Sequence, residues 1–361
     1  MMGRMTIPIG PQHPLLKEPY SVSLEMSGEQ VVAASLRVGY VHRGIEQLAQ
    51  RRSYVQNLYL VERVCGICSH VHTTTYCQAV ERLADLQIPE RAAYIRVLLC
   101  ELERIHSHLL WLGVLAEAIG FTTIFMYAWR DREIILDIMD ALTGGRVSHA
   151  ANVIGGVRVD VTPPQAEWLG GRLDELAGQM YLFESLLHDD RSFQGRTQGV
   201  GVIDAEMVHS FGVVGPLARA SGCRMDLRRD APYAAYSRLD FQVVTASAGD
   251  VWSLAEVRLG EIRQSISLCR QVLDGLPEGD LAVKAPRRIP AGEAVVRCEA
   301  PRGELLYYIR SDGSERPARL KIRTPTLPAL MVLPRLLPGL EAADVAPVIA
   351  GTDLCIACSD R

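Results

Sequence analysis

Lysine is nearly missing from this chain of 361 residues: it stands only at positions 17, 284 and 321, and arginine carries almost all the positive charge. Arginine cannot be deprotonated and pairs bidentately with carboxylates, but a codon bias of the genome accounts for the usage equally well. A strong charge of either sign is absent as well, and the net charge of -4 gives no electrostatic case for nucleic acid. The start, Met1-Met2-Gly3-Arg4-Met5 followed by Thr6-Ile7-Pro8-Ile9-Gly10, lacks the apolar run of a secretory leader. Internal repeats and low-complexity linkers are missing too. Long apolar runs are rare: the best candidate for a membrane span, Leu109 to Trp129, contains Glu117 and Gly120 and follows Glu101-Leu102-Glu103-Arg104. A charge at the bilayer centre is costly, so a helix buried in a large core is expected there.

What the chain does have is cysteine. There are nine, an odd number, which in a chain without a leader points to a reducing cytoplasm and to metal or redox work. Four form two chelating pairs, Cys65-Gly66-Ile67-Cys68 and Cys355-Ile356-Ala357-Cys358. Such pairs offer soft thiolate ligands to Zn, Ni, Cu(I) or an iron–sulfur cluster. A local zinc ribbon spaces its pairs roughly 15–20 residues apart. Here nearly the whole chain intervenes, so a shared site forms only when the fold closes. A structural zinc site made of the four cysteines is the competing expectation. Cys77, Cys100, Cys223, Cys269 and Cys298 lack partners at chelating spacing and read as ordinary buried thiols.

The fold class read from the pattern is mainly α with β additions: a large helical-bundle core, an N-terminal β-hairpin region and a second small β region near 290–325. A hydrophobic content of 48% supports one large buried core. The expected organisation is one unit over 1–361, with 1–45 β-rich, 46–278 helical, 279–325 β-rich and 326–361 a ligand-bearing tail. Tyr20 to Met26 alternates as a strand does, Ser27-Gly28-Glu29 reads as a turn, and Val31 to Val38 resumes the strand. Helices are expected between Glu46 and Cys77 around the first cysteine pair, from Pro89 onward, and at 130–143, 163–188 and 247–275. Residues 195–202 and 212–222 read as loops near a site. Strands return at 294–298 and 305–309, with Asp312-Gly313 as a turn, and Pro325, Pro328, Pro334 and Pro338 space the tail.

The flanks of the cysteines narrow the chemistry. Arg63-Val64-Cys65-Gly66-Ile67-Cys68 is followed by His72, and Asp353 precedes the second pair. This text resembles the two signatures of [NiFe]-hydrogenase large subunits. Gly10-Pro11-Gln12-His13-Pro14, Val41-His42-Arg43-Gly44-Ile45-Glu46, Gly215 to Gly222 and Pro301-Arg302-Gly303-Glu304 resemble the quinone-site subunit of respiratory complex I. Together they resemble the energy-converting, membrane-associated hydrogenases, including the CO-induced and formate-hydrogenlyase types, over essentially the whole chain.

The resemblance implies a Ni–Fe(CN)2(CO) centre. Cys65 and Cys355 would bind nickel terminally, and Cys68 and Cys358 would bridge nickel to iron. It implies that Glu18 relays protons, that Arg302 stands over the open metal face with Asp353 orienting it, and that Pro301 lines the same cavity. His72 would donate to a bridging sulfur and Glu46 would be an internal carboxylate. The implied partners are a small subunit with a [4Fe–4S] cluster, ferredoxin-like iron–sulfur subunits, integral membrane ion-translocating subunits and maturation proteins. The chain itself would sit peripherally on the cytoplasmic side of the membrane. Many relatives end in Cys-x-x-His, whose histidine helps hold Mg2+; here position 361 is arginine, which puts that ion in doubt. His106-Ser107-His108 falls where many relatives carry an aspartate beside the active-site arginine. Two residues apart on a helix, these histidines cannot share a face and read as core or surface residues, not ligands. Gly10 to Pro14 reads as inherited loop structure. The expected product ends at Arg361 without trimming. From another class, the chain could be a non-catalytic quinone-binding or coupling subunit of a complex I-like assembly.

Overall fold

The computed structural model describes residues 4–361. The chain opens with an antiparallel sheet in the order β1 (Arg4–Ile9), β2 (Ser21–Ser27), β3 (Gln30–Arg37). In β2 the alternation is sharp: Val22, Leu24 and Met26 are buried against the helical core while their neighbours face outward. The expected hairpin is therefore a three-stranded sheet. β1 escaped the pattern because it is an edge strand, exposed along nearly its whole length and carrying Pro8, which only an edge tolerates. Between β1 and β2 a loop carries Lys17 and Glu18 toward the far end of the chain.

Three helices surround the first cysteine pair: α1 (Ile45–Ala49), α2 (Tyr54–Glu62) and α3 (Ser69–Leu83). A capping box starts α2, with Ser53 and Gln56 exchanging side-chain and backbone bonds at 3.2 and 3.0 Å. The first turns of α3, Ser69-His70-Val71-His72-Thr73-Thr74-Thr75, are weak helix formers. Tertiary contacts compensate: Glu103 accepts from the backbone N–H groups of His70 (2.6 Å) and Val71 (3.0 Å), capping the helix from outside.

Next come α4 (Glu90–Ala118) and α5 (Thr122–Thr143), which pack closely on one another. The stretch 109–129 is thus a helical hairpin and not one buried helix. Gly120, at φ 90°, breaks it, and α5 begins eight residues before the expected position 130. Gly113 lets the pair approach, since a Cβ there would lie 2.7 Å from the Trp129 ring. No helix of the described residues is long and apolar enough to cross a membrane. A short hairpin, β4 (Asn152–Val153) and β5 (Gly156–Val157), leads to α6 (Pro163–Asp189), α7 (Arg191–Thr197), α8 (Ala205–Phe211), α9 (Pro216–Arg219) and α10 (Leu227–Asp230). After a 3-10 turn at Tyr236–Arg238 comes α11 (Val251–Asp274), which packs on α4 and α6.

The second sheet is the meander β6 (Gly292–Ala300), β7 (Gly303–Ser311), β8 (Pro317–Arg323). It packs on α3 and forms, with α1 to α3 and the four paired cysteines, a hydrophobic core separate from that of the long helices. The proline-spaced tail proves helical: α12 (Thr326–Leu336), α13 (Ala342–Gly351) and α14 (Ile356–Asp360). Pro334 and Pro347 lie inside helices, and burial of Val332, Leu333, Val348 and Ile349 offsets the lost backbone bonds. The Trp111 indole, wholly buried in α4, donates to Ala350 O at 3.0 Å and so anchors α13.

The turn that presents Arg302 depends on two glycines. β6 and β7 join through Pro301-Arg302, with Ala300 paired to Gly303. Gly303 (φ 124°) lies backbone to backbone against Gly215 (φ 71°), where a Cβ would fall 2.3 Å from Arg302 O. Gly215→Ala should therefore lower stability by about 2 kcal/mol or more, since neither the dihedral nor the space admits a side chain. Gly171→Ala, in α6 with open space around it, should be neutral or stabilising by up to about 1 kcal/mol. Thermal unfolding of the two variants checks the contrast.

Candidate metal centre

The fold brings the two cysteine pairs together. Cys65 Sγ lies 3.4 Å from Cys355 Sγ, and Cys68 Sγ lies 3.6 Å from Cys358 Sγ. All four are buried and none is in a disulfide. Local geometry explains the approach: Cys68 immediately precedes α3 and Cys355 immediately precedes α14, so each pair spans a loop-to-helix junction. Arg43 ties the two junctions, donating to Val64 O (2.9 Å) just before Cys65 and to Ala357 O (2.8 Å) just before Cys358. It also reaches Arg63 O at 2.7 Å.

Among the described residues, the only close groupings of possible metal ligands are Cys65 with Cys355 and Cys358, and Cys68 with His72 and Cys358. The four thiols do not ionise alike. The neighbouring sulfurs of Cys355, Cys358 and Cys68, with Arg302, stabilise a thiolate at Cys65 and pull it well below the ordinary range. Cys68, Cys355 and Cys358 are pushed well up by the charge on Cys65 and by burial. Sulfurs so close hold one negative charge readily and four only around a cation. That donor set fits a soft transition metal.

His72 joins the cluster on one side. Its Nε2 lies 3.5 Å from Cys358 Sγ and its Nδ1 lies 2.7 Å from the Tyr307 hydroxyl. Burial lowers its pKa to about 4, so the ring is neutral. A tautomer with Nε2–H donating to sulfur and Nδ1 accepting from Tyr307 uses both nitrogens. A small pocket beside it is lined by Cys68, His72, Ala300, Arg302, Pro325 and Cys358, among others. Pro301 is buried in the β6–β7 turn beside Arg302, which lines the pocket together with Pro325.

Arg302 is fully charged and locked. Its Nε donates to Asp353 O (3.0 Å) and its Nη2 to Asp353 Oδ1 (3.0 Å), while its buried Nη1 has no protein partner. An orphaned cationic donor in a pocket beside four thiols is the feature that a bound anion or diatomic ligand would satisfy. Asp353 gathers two more cations, Lys17 Nζ at 2.8 Å and Arg258 Nη2 at 3.1 Å. Burial would raise this carboxyl, but Arg302, Lys17 and Arg258 together hold it well below the usual range. Its backbone is left-handed at φ 49°, an uncommon state for a non-glycine residue.

Lys17 and Arg258 were not singled out by sequence reasoning, because neither belongs to a local motif. The same holds for Tyr307 and Glu103. Behind Arg258, His108 accepts from its Nη1 at 3.2 Å and lies 2.8 Å from Glu261. Both His106 and His108 are core residues, as one of the two expectations had it, and Arg302 finds its carboxylate in Asp353. Arg104 and Arg219 fix the end of β6, donating to Ala300 O (3.1 Å) and to the Glu299 side chain (2.8 Å).

Glu18 reaches the second junction from the β1–β2 loop. Its carboxylate accepts from the backbone N–H of Ile356 and, at 3.2 Å, from that of Ala357. Burial and the charge on Cys65 raise its pKa, the direction a proton relay needs. Glu46 is different: it pairs with Arg361 Nε at 3.0 Å and Lys321 Nζ at 2.9 Å. Of the unpaired cysteines, Cys77, Cys100, Cys269 and Cys298 are buried, and Cys223 is half-buried on the path after α9.

Comparison with known proteins agrees with this geometry. Residues 118–289 and 282–361 match the family model described as respiratory-chain NADH dehydrogenase, 49 Kd subunit, and residues 43–126 match that of nickel-dependent hydrogenase. The chain is 42% identical to the carbon monoxide-induced hydrogenase of Rhodospirillum rubrum, with 100% of both chains aligned. It is 38% identical to the membrane-bound hydrogenase subunit alpha of Pyrococcus furiosus, over 98% of this chain and 87% of the relative. Among solved structures, a chain of the membrane-bound sulfane sulfur reductase, an archaeal respiratory membrane complex, superposes with a TM-score of 0.95 at 33% identity, covering 99% of this chain and 98% of that one. The chain belongs to the family that joins the 49-kDa subunit of respiratory NADH dehydrogenase with the large subunit of nickel-dependent hydrogenases.

Proposed function

We propose that this chain is the catalytic subunit of an energy-converting [NiFe]-hydrogenase, interconverting H2 with two protons and two electrons. The observation that carries the reading is the convergence of Cys65, Cys68, Cys355 and Cys358 beneath the unpartnered Nη1 of Arg302. A nickel–iron centre would be held by these four cysteines, Cys65, Cys68, Cys355 and Cys358, and would supply the redox and Lewis-acid chemistry.

The protein's own groups perform the rest. Arg302, fixed on Asp353, presents its unpartnered Nη1 to the pocket. His72 donates to Cys358 Sγ and steadies its charge. Cys355 and Cys65 offer sulfur to an arriving or departing proton. Glu18, held against the Cys355 loop, passes that proton toward the surface. Among the described residues there is no second group of clustered cysteines, so electrons would leave through a partner. A small subunit with a [4Fe–4S] cluster and ferredoxin-like subunits fit that need. Membrane ion-translocating subunits would hold the chain at the cytoplasmic face, and coupling of ferredoxin-linked proton reduction to ion translocation follows from the same placement.

The family also contains 49-kDa subunits of NADH dehydrogenase, which supports a second reading as a coupling subunit that does no hydrogen chemistry. Metal content separates the two. The complex made with intact maturation machinery should contain about one nickel and one iron outside iron–sulfur clusters per chain, with infrared bands of CO and CN⁻; Cys68→Ser or Cys358→Ser should lose both metals. Zinc alone, or no metal, would falsify the hydrogenase reading.

Glu18→Gln should leave metal loading unchanged and reduce H/D exchange about 100-fold or more, because an amide keeps the hydrogen-bonding reach but cannot carry a proton. Exchange near the wild-type rate would place the proton exit elsewhere. Arg302→Lys should slow H2 cleavage by about 10-fold or more with metals retained. An ammonium cannot bond Asp353 through two nitrogens and also present a third. An unchanged rate would reduce Arg302 to packing.

A further inference from the structure

The cleft behind Cys358 is bounded by His42, Gly44, Glu46, Gln47, Arg319 and the last three residues. The resemblance to hydrogenases whose tail reads Cys-x-x-His implies a Mg2+ ion held in part by the histidine of that motif. The side chain at that position here is Arg361, and the carboxylate that faces it is Glu46.

The residues present do not fit a metal ion. Glu46 Oε1 accepts from Arg361 Nε (3.0 Å) and from Ile322 N (3.1 Å), and its Oε2 pairs with Lys321 Nζ (2.9 Å). Arg361 Nη1 donates to the carbonyls of Cys358 (3.0 Å) and Ser359 (3.2 Å). Both Glu46 oxygens and the two carbonyls that face Arg361 thus already accept from donors, and a guanidinium has no lone pair to offer. Mg2+ demands near-octahedral oxygen ligands at about 2.0–2.1 Å, which this cleft no longer has. Burial would raise Glu46, but the bonds from Lys321, Ile322 and Arg361 outweigh it and hold the carboxyl below its ordinary value.

We propose that the Arg361 guanidinium takes the place of a divalent cation. It is a covalently attached positive charge that joins Glu46 to the carbonyl of Cys358, pins α14, and sets the Cys358 sulfur against Cys68 and His72. With Lys321 it brings two positive charges to one carboxylate, the charge a divalent ion would carry. The planar fork suits the task because it spans a carboxylate on one edge and two carbonyls on the other. Arg361 is a positioning residue. The neighbouring contacts are consistent with a closure built from protein alone: Asp360 Oδ2 accepts from Gly39 N (2.6 Å) and Val41 N (3.3 Å).

This inference concerns the C-terminal helix and stands whether or not the four thiolates hold nickel. Its test therefore reads magnesium and unfolding temperature. The purified complex should contain no stoichiometric magnesium, and dialysis against EDTA should leave its Tm unchanged. Arg361→Ala should lower Tm by about 3 °C or more. Arg361→His takes the guanidinium away from Glu46 and the two carbonyls and puts an imidazole in its place, so its Tm should rise on adding millimolar MgCl2, which a merely structural arginine would not predict. One magnesium per wild-type chain, removed by EDTA with a fall in Tm, would overturn the proposal, as would an Arg361→Ala variant with wild-type Tm. Should Arg361→Ala yield no complex, Glu46→Gln keeps the shape without the charge. It should lower Tm and remain insensitive to EDTA, and an unchanged Tm there overturns the proposal equally.

Discussion

Everything at the candidate centre depends on one long-range contact: the docking of residues 353–361 against the loops that carry Glu18, Arg43 and Cys65. Four thiols from near opposite ends of the chain meet within 3.4–3.6 Å in pairs only if that segment is held to a fraction of an ångström. The holding is done by backbone-directed bonds. Glu18 takes the N–H groups of Ile356 and Ala357, Arg43 takes the carbonyls before Cys65 and Cys358, and Arg361 takes the carbonyl of Cys358 itself. Bonds to main chain constrain position more strictly than side-chain pairs, because the peptide has no rotamer to yield.

The abundance of arginine acquires a structural use here. Arg96, Arg104, Arg219, Arg228, Arg258 and Arg302 are all buried, each with carboxylates, carbonyls or aromatic rings around it. A buried lysine would readily lose its proton; a guanidinium stays charged and satisfies several acceptors in one plane. The network running from Glu101 through Arg228, Asp226, Arg219 and Glu261 to His108 and Arg258 ends at Asp353. Such buried pairs add little net stability over an apolar core. Their effect is geometric: Arg258 shares Asp353 with Arg302, so the pose of Arg302 is fixed from the far side of the helical core.

The same physics relates the centre to its chemistry. A metal site that handles protons and electrons needs neutral donors near its sulfurs, a fixed cation at its open face and a carboxyl able to change protonation. On the proposed reading His72, held neutral by burial, Arg302 and Glu18 would supply these from three separate elements: α3, the β6–β7 turn and the β1–β2 loop. Glu46 lies close by in sequence logic but differs in environment. It is tied to two cations and held ionised, which suits a brace and not a relay. Burial beside a thiolate and burial beside two cations send two glutamates in opposite directions.

What the residues determined alone is whatever is local or chemical in kind. The cluster of four cysteines was legible because thiolate pairs at Cys-x-x-Cys spacing have few other uses, and so were the alternation of β2, the helices α6 and α11 and the β6–β8 region with its Asp312-Gly313 turn. Local patterns misled where tertiary packing overrode them. The tail with its prolines became α12 to α14 because buried Val and Leu faces compensate the missing bonds. The 109–129 run became two helices because Gly120 offered the break, and β1 is an edge strand without alternation. The partners of the ligands stayed hidden altogether. Nothing in the sequence around Lys17, Arg258 or Tyr307 marks them as neighbours of the cluster, since each acts on a residue far away in the chain, and Arg361 stood out only as a departure from the Cys-x-x-His pattern, with its partner Glu46 hidden. Distance in sequence carries no signal of contact, so only the closed fold decides which cation meets Asp353 and which meets Glu46.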